Sequence, residues 1–502
     1  MNKNFKTISI FITLILIAVL AASCGGGKDN TSSGGDNKNP DAGQIRDDSG
    51  VGEATEEQRI LPDLPEADFN GHVFKILTFG VQGSYEWEQV DLTADEENSG
   101  DTINDAVYKR NKIVEEKFNI TVQEEHRYDG NFGSSLSKEI KAGTHEFDLI
   151  SPRVIDSAGY MQQGYFMNLF KLPNIDLTKP WYDQRGIKEM SIDRKLFIVL
   201  TDALLSDDNA TCITVFNKQI AQNYGLGDLY SIVREGKWTV DKLYEFAKLT
   251  AKDVNGDGKM SPDVDQYGYT CWGDAMITYL HAGGQRLVSK DEDDLPYLSF
   301  NNPQTYAAME KAMDLLYDEN VTGNVQKPNF SGIDFGDIFS SGRVAFGWCR
   351  MYMIPRLRAM ETDFGILPIP KAFETIEGYP STVNVHTSCA LSVPVTTGDI
   401  DRATIIMESL SAESKYLLVP AYYDISLKTK HSRDDESGEM LDLILGNRVL
   451  DIGDVYNFAE FGIEFYRRAI ANDRNLTSFY DKYESKVNKE IAKMMTKFDA
   501  LD

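Results

Sequence analysis

Apolar residues recur along this chain in two rhythms. Short apolar runs stand at HVFKILTF (72–79), ITVQ (120–123), FDLI (147–150), LFIVL (196–200), CITVF (212–216), RVAFGW (343–348), FGILPI (364–369) and CALSVPV (389–395), and each predicts a strand. Between them the spacing is helical. From Asp101 to Phe118, the residues Ile103, Ala106, Val107, Val114 and Phe118 share one face, and Asn119 ends the run. Thr239 caps a helix carrying Val240, Leu243, Tyr244 and Ala247, and Asn302 with Pro303 opens another with Tyr306, Met309, Met313 and Leu316 turned inward. A helix from about Asp399 to Leu418 is expected to stop at Pro420, and a polar terminal helix is expected near Lys486 to Phe498. Strands alternating with helices make an α/β chain with mostly parallel sheet.

The N-terminus breaks this pattern. Lys3 and Lys6 precede an apolar stretch from Ile8 to Leu20, and Ala21, Ala22 and Ser23 lead into Cys24: an export signal over residues 1–23, too short for a comfortable spanning helix. Leu20 to Cys24 followed by glycines resembles a bacterial lipobox with Ala21 where leucine is usual, which makes Cys24 the acylated residue; an ordinary cleaved signal is the alternative. Residues 24–66 are rich in Gly, Ser, Asn and Asp and read as a solvated tether.

Composition narrows the function. Across 502 residues, 78 acidic against 51 basic side chains leave a net charge of −27, which argues against a nucleic-acid partner, since phosphate binding needs a basic stripe, and against anionic lipid headgroups, so that membrane contact is expected through the lipid anchor only. The 42% hydrophobic content supports a substantial core. Beyond Cys24, the cysteines Cys212, Cys271, Cys349 and Cys389 are widely spaced, without Cys-x-x-Cys or histidine pairs; buried thiols or one or two disulfides are both compatible with export.

Seven segments in order then resemble the extracellular solute-binding proteins of ABC transporters, in the sugar-binding family 1 group found as lipoproteins. They are INDAVYKRNKIVEEKFNI from Ile103, DLTKPWYDQ from Asp176, VFNKQIAQNYGL from Val215, GKWTVDKLYEFAKLTAKDVNGDGK from Gly236, FGILPIPK from Phe364, LSVPVTTGDIDRATIIMESL from Leu391 and MLDLILGNRVLDIGDVYNF from Met440. The resemblance implies a bilobal periplasmic-binding-protein-like fold of type II, with two discontinuous α/β lobes joined by a hinge. Lobe 1 would comprise 67–210 and 384–430, and lobe 2 would comprise 211–383 and 431–502. It implies a monomeric, non-catalytic receptor on the outer face of a Gram-positive cell membrane, delivering a carbohydrate, more specifically an oligosaccharide, to ABC permease subunits.

Two sets of residues carry candidate chemistry. In DVNGDGKMSPDVD, the alternating Asp253, Asn255 and Asp257, the turn at Gly258 and the carbonyl of Lys259 resemble a Ca²⁺ loop. The twelfth position is Val264, and the carboxylates fall instead at Asp263 and Asp265. An acidic turn held by Asx hydrogen bonds is the alternative. For a sugar, flat apolar faces and polar groups where strands end are the candidates: Trp272 with Asp274, Trp348 with Arg350, Asp208 and Asn209, Arg153 and Trp181, with Trp87, His386 and Tyr422 as weaker ones. For each indole, core packing is the competing role. A secreted glycoside hydrolase would need two carboxylates across the cleft, and a surface carbohydrate adhesin would lack small-molecule affinity; no Gly-x-Ser-x-Gly or His-Glu-x-x-His motif favours an enzyme.

Overall fold

The computed structural model describes residues 59–80, 91–94, 100–128, 130–427 and 435–501. The expected signal segment 1–23, Cys24, residues 25–58 of the expected tether and Trp87 lie outside the described residues, whereas 59–66, expected to belong to the tether, pack on the folded body: Arg59 pairs with Glu413 at 2.7 Å, the Ile60 N–H donates to the Tyr416 hydroxyl, and Leu64 meets the core. The chain from Ala54 to Asp502 forms one compact unit.

Two sheets organise it. In the first, β1 (His72–Gly80) runs between β2 (Ile120–Tyr128) and β3 (Leu149–Ser151), all parallel, with Ile76 beside Leu149. The second has the order β10-β4-β9-β5-β8. Here β4 is Cys212–Asn217, β5 Tyr267–Cys271, β8 Thr322–Asn324, β9 Val344–Arg350 and β10 Phe364–Leu367. Strand β4 is antiparallel to β9 and β10, while β5 is parallel to β8 and β9. Strands β4, β5, β9 and β10 are buried throughout, as expected of a sheet covered on both faces. An antiparallel hairpin, β6 (Val288–Lys290) with β7 (Pro296–Leu298), stands apart from both sheets, as does a short parallel pair, β11 (Ser381–Thr382) with β12 (Arg448–Val449).

Local signals explain most helices. Thr102–Phe118 is opened by the Asp101 carboxylate accepting the Asn104 N–H, and it ends at Asn119 in the left-handed region at φ 50°. Val240–Thr250 is capped by Thr239 and Pro303–Leu316 by Asn302, as their sequences specify. Three expectations need correction. The helix Ile400–Leu427 runs through Pro420, because buried Leu418, Ala421 and Tyr422 on either side hold it against the core and offset the roughly 3 kcal/mol that an interior proline costs. The terminal helix begins at Leu476, ten residues early, since Phe479, Tyr480 and Tyr483 already pack inward. The runs at 196–200 and 389–395 form isolated bridges, such as Val199 with Leu391 and Ile150 with Ser392, and not regular strands. The four described cysteines are free and buried, and burial pushes the Cys212 thiol up to about 12.

The chain passes between the sheets where β11 and β12 pair. Thr211 bridges Val383, and the Asn384 N–H donates to the Ala210 carbonyl. At this crossing Arg448 of β12, its side chain only 14% exposed, lies among carboxylates from the other side. Its Nη2 lies 2.7 Å from Asp183, and its Nη1 lies 2.8 Å from Asp207 and 2.6 Å from Asp208. Lys415 reaches Asp202 at 3.3 Å next to them. Burial alone would lower the arginine's pKa, but the surrounding carboxylates outweigh it and hold it above its usual value. Burial pushes Asp207 well up and Asp202 to about 6. Close by, buried His281 joins Thr382 (2.8 Å) to Asp451 (3.2 Å), and Asp451 also accepts the Leu287 and Gly453 N–H groups.

Removing one partner of a buried ion pair strands the other. Arg448→Met is therefore expected to cost about 3–5 kcal/mol of stability in urea unfolding. A loss under about 1 kcal/mol would show that the crossing does not depend on this cation.

Candidate functional site

The order of the second sheet brings the chemistry-bearing ends together. Because β5 and β9 are parallel neighbours, with Tyr269 beside Phe346, their carboxyl ends lie side by side. Trp272 and Asp274 follow the one, and Trp348 and Arg350 end the other. Strand β4 starts at the same edge, Cys212 opposite Arg350, and the chain after β8 reaches it with Gln326. From the first sheet, Arg153 follows β3 directly, and His386 comes from the passage after β11.

These groups sense one another. The Arg350 guanidinium lies 5.5 Å from the Trp272 ring centre, 5.9 Å from Trp348 and 5.2 Å from Tyr352. Trp272 is only part-buried; one face stacks on Phe335 at 5.0 Å, and Trp348 meets it edge-on at 5.7 Å. Arg153 is fixed by two hydrogen bonds to Asp156, at 2.8 and 3.1 Å, and lies 4.7 Å over the Phe79 ring. Burial, followed by the positive charges of Arg153 and Arg350, lowers the His386 pKa to about 4. His386 is therefore neutral at pH 7, able both to donate and to accept. Asp274 accepts a 3.0 Å hydrogen bond from Asn384, tying the end of β5 to the crossing.

The loop after β5 is packed tightly from behind. The Gly273 N–H donates to Gln326 at 2.6 Å, and Gln326 donates to the Tyr466 hydroxyl at 2.8 Å. A Cβ on Gly273 would sit 2.8 Å from Tyr466 and 2.9 Å from Gln326, so only glycine fits there without displacing them.

The sequence candidates divide accordingly. Arg153, Trp272, Asp274, Arg350 and His386 form one neighbourhood. Trp348 is fully buried beneath it, its indole N–H without a partner among the described residues, so it supports Trp272 and Arg350 and offers no face of its own. Trp181 is likewise fully buried, in the core that holds Phe197 and Leu200, because its Pro-containing loop folds inward; it is not a surface ring. Asp208 is spent on Arg448, and Asn209 accepts from the Tyr422 hydroxyl at 3.0 Å, so these three belong to the crossing. Four further residues at the site carry no sequence signal: Asn384 and Gln326 are amides in loops, although Gln326 lies just past a strand end, and Tyr352 and Tyr466 are single phenols within the helical segments Met351–Ala359 and Phe461–Ala471.

In the loop from Asp253, the carboxylates accept backbone N–H groups. Asp253 takes Gly256 and Gly258, Asp257 takes Lys259, and fully buried Asp265 takes Val254 at 2.8 Å and Ser261 at 2.7 Å. Among the described residues, no three His, Cys, Asp or Glu side chains are gathered to hold a metal ion. Nor is any helix long and apolar enough to cross a membrane.

No family model matches this sequence, and neither does any curated protein. Solved structures do match in fold. An ABC substrate-binding protein from Listeria monocytogenes in complex with cycloalternan aligns at 13% identity over 84% of this chain and 99% of its own, with a TM-score of 0.56. A cyclo/maltodextrin-binding protein complexed with maltotetraose aligns at 14% over 86% and 98%, with a TM-score of 0.54. The GacH receptor of Streptomyces glaucescens, solved unliganded and with acarbose, aligns at 13% over 83% and 99%, with a TM-score of 0.51. The α/β bilobal fold of these solute-binding proteins is thus the fold of this chain.

A direct check on the site's electrostatics is the titration of the His386 imidazole by NMR. The expected midpoint is near 4. Because the folded pKa lies below the unfolded one, the neutral ring's contribution to stability is complete above about pH 6.5 and is lost as pH falls toward 4. A midpoint at 6.5 would show a solvated imidazole, contradicting the burial of His386 beside Arg153 and Arg350.

Proposed function

We propose that this chain captures a carbohydrate, specifically an oligosaccharide, and presents it unchanged to an ABC permease from the outer face of the cell membrane, to which acylated Cys24 and the tether hold it. The observation that carries this is the meeting, at the strand ends of a fold shared with sugar-binding proteins, of a part-exposed indole with two guanidinium groups, a carboxylate and a neutral imidazole. The part-exposed Trp272 indole suits the apolar C–H surface of a pyranose ring, and Arg153, Arg350, Asp274 and His386 suit its hydroxyls. On this proposal the lobes are 67–210 with 384–430 and 211–383 with 431–502, and they close on the sugar because the closed state binds it better than the open one.

A thermal-shift screen against mono- and oligosaccharides tests this. A sugar at a hundred times its dissociation constant adds about 2.7 kcal/mol. Trp272→Ala is expected to remove most of that gain while leaving the unliganded protein folded, whereas Trp348→Ala costs about 3–5 kcal/mol without any ligand. No shift with any sugar, or conversion of the bound sugar to product, would overturn the proposal.

Ca²⁺ at the loop from Asp253 is a separate proposal. Asp253, Asn255, Asp257, the Lys259 carbonyl and Asp263 lie on the exposed part of the loop, with Asp265 fixing its base, and a bound ion would have a structural role only. A melting temperature that rises with added Ca²⁺ and falls with EDTA, leaving sugar affinity intact, is expected; identical melting in both would reject the ion.

A further inference from the structure

The terminal helix Leu476–Phe498 carries an unneutralised row of cations on an otherwise acidic molecule. Lys482, Lys486, Lys489 and Lys493 are all exposed. Their steps of four, three and four residues confine them to a sector of roughly 60°, along about 17 Å of helix. Lys482 and Lys486 lie 4.8 and 5.6 Å from the Tyr483 ring centre. Among the described residues none of the four has a carboxylate within ion-pair distance. Two of the helix's own acids are turned elsewhere: Glu484 accepts from the Tyr480 hydroxyl at 2.6 Å, and Glu490 from the Ala459 N–H at 2.5 Å. Five lysines, counting half-buried Lys497, against Asp481, Glu484 and Glu490 leave this helix at +2, and so the rest of the chain at −29.

We infer that this row is a docking surface for anionic phospholipid headgroups, and that it orients the body on the membrane that anchors it. The inference rests on the membrane anchor proposed above. A tether from Cys24 to Arg59 spans 35 residues. A chain of that length reaches at most about 115 Å. The bilayer is therefore always near, yet the tether does not select which face meets it. Charge does. Beyond a Debye length of about 8 Å the −29 on other faces is screened, so at contact the local cations decide, while acidic faces turn away. The attraction of four clustered lysines to an anionic surface is measurable without the tether, and tethering strengthens it by raising the effective concentration.

Vesicle sedimentation of the compact unit Ala54–Asp502 tests this with phosphatidylcholine alone and with phosphatidylglycerol mixed in at three parts to seven. Binding to the anionic vesicles is expected to exceed that to neutral ones at least tenfold and to vanish in 0.5 M NaCl. The quadruple variant Lys482→Gln, Lys486→Gln, Lys489→Gln, Lys493→Gln is expected to lose it with an unchanged melting temperature. Removing four exposed lysines elsewhere (Lys112, Lys141, Lys237 and Lys248, each to Gln) is expected to retain it. Equal binding to both vesicle types, an equal loss in the two variants, or capture by soluble polyphosphate without capture by vesicles would overturn the assignment. Palmitate labelling at Cys24 tests the anchor independently, so failure of the row and failure of the anchor give different results.

Discussion

A single buried guanidinium holds the crossing on which the rest depends. Arg448 sits on a two-residue strand, yet it meets Asp183, Asp207 and Asp208, which come from two separate stretches of the first part of the chain. The desolvation cost of such a cluster is offset only by close geometry, and more carboxylates than cations are present. Burial drives Asp207 and Asp202 up, Arg448 and Lys415 pull them back, and the neighbouring carboxylates add to the rise. The ends of β4, β11 and β12 are thereby held at one place, and the edge of the second sheet is set against the end of β3.

The candidate site inherits its order from that crossing. Asn384, two residues beyond β11, reaches Asp274, and burial, helped by the nearby charges of Arg153 and Arg350, keeps His386 neutral. Aromatic rings around Arg350 leave Trp272 part-exposed and bury Trp348 completely. That leaves a part-exposed indole beside charged and polar groups, the surface on which the proposed sugar binding rests. Further contacts reinforce the arrangement away from the site. Phe498 of the terminal helix packs edge-on against Phe197 at 5.4 Å, and Lys290 of the hairpin bonds the Lys188 and Ser191 carbonyls.

Local physics was legible in the sequence; long-range pairing was not. Asp101, Thr239 and Asn302 announce their helices because a capping side chain acts within three residues. Pro420 misleads for the opposite reason: packing of Leu418 and Tyr422, decided far along the chain, outweighs one lost hydrogen bond. Five candidate ligand residues do converge, because strand ends are visible as breaks in apolar runs. Trp181 and Asp208 fail because an indole at a loop and a carboxylate before a strand look the same whether they face solvent, core or an arginine 240 residues away. Arg448 itself has no sequence signature at all.

Hydrogen–deuterium exchange with and without the sugar giving the largest thermal shift would locate the bound solute. Protection is expected to concentrate at residues 153–156, 271–274, 348–353 and 384–388, on both sides of the crossing at once. Protection confined to one sheet, or falling elsewhere on the molecule, would contradict a site formed where the two sheets meet.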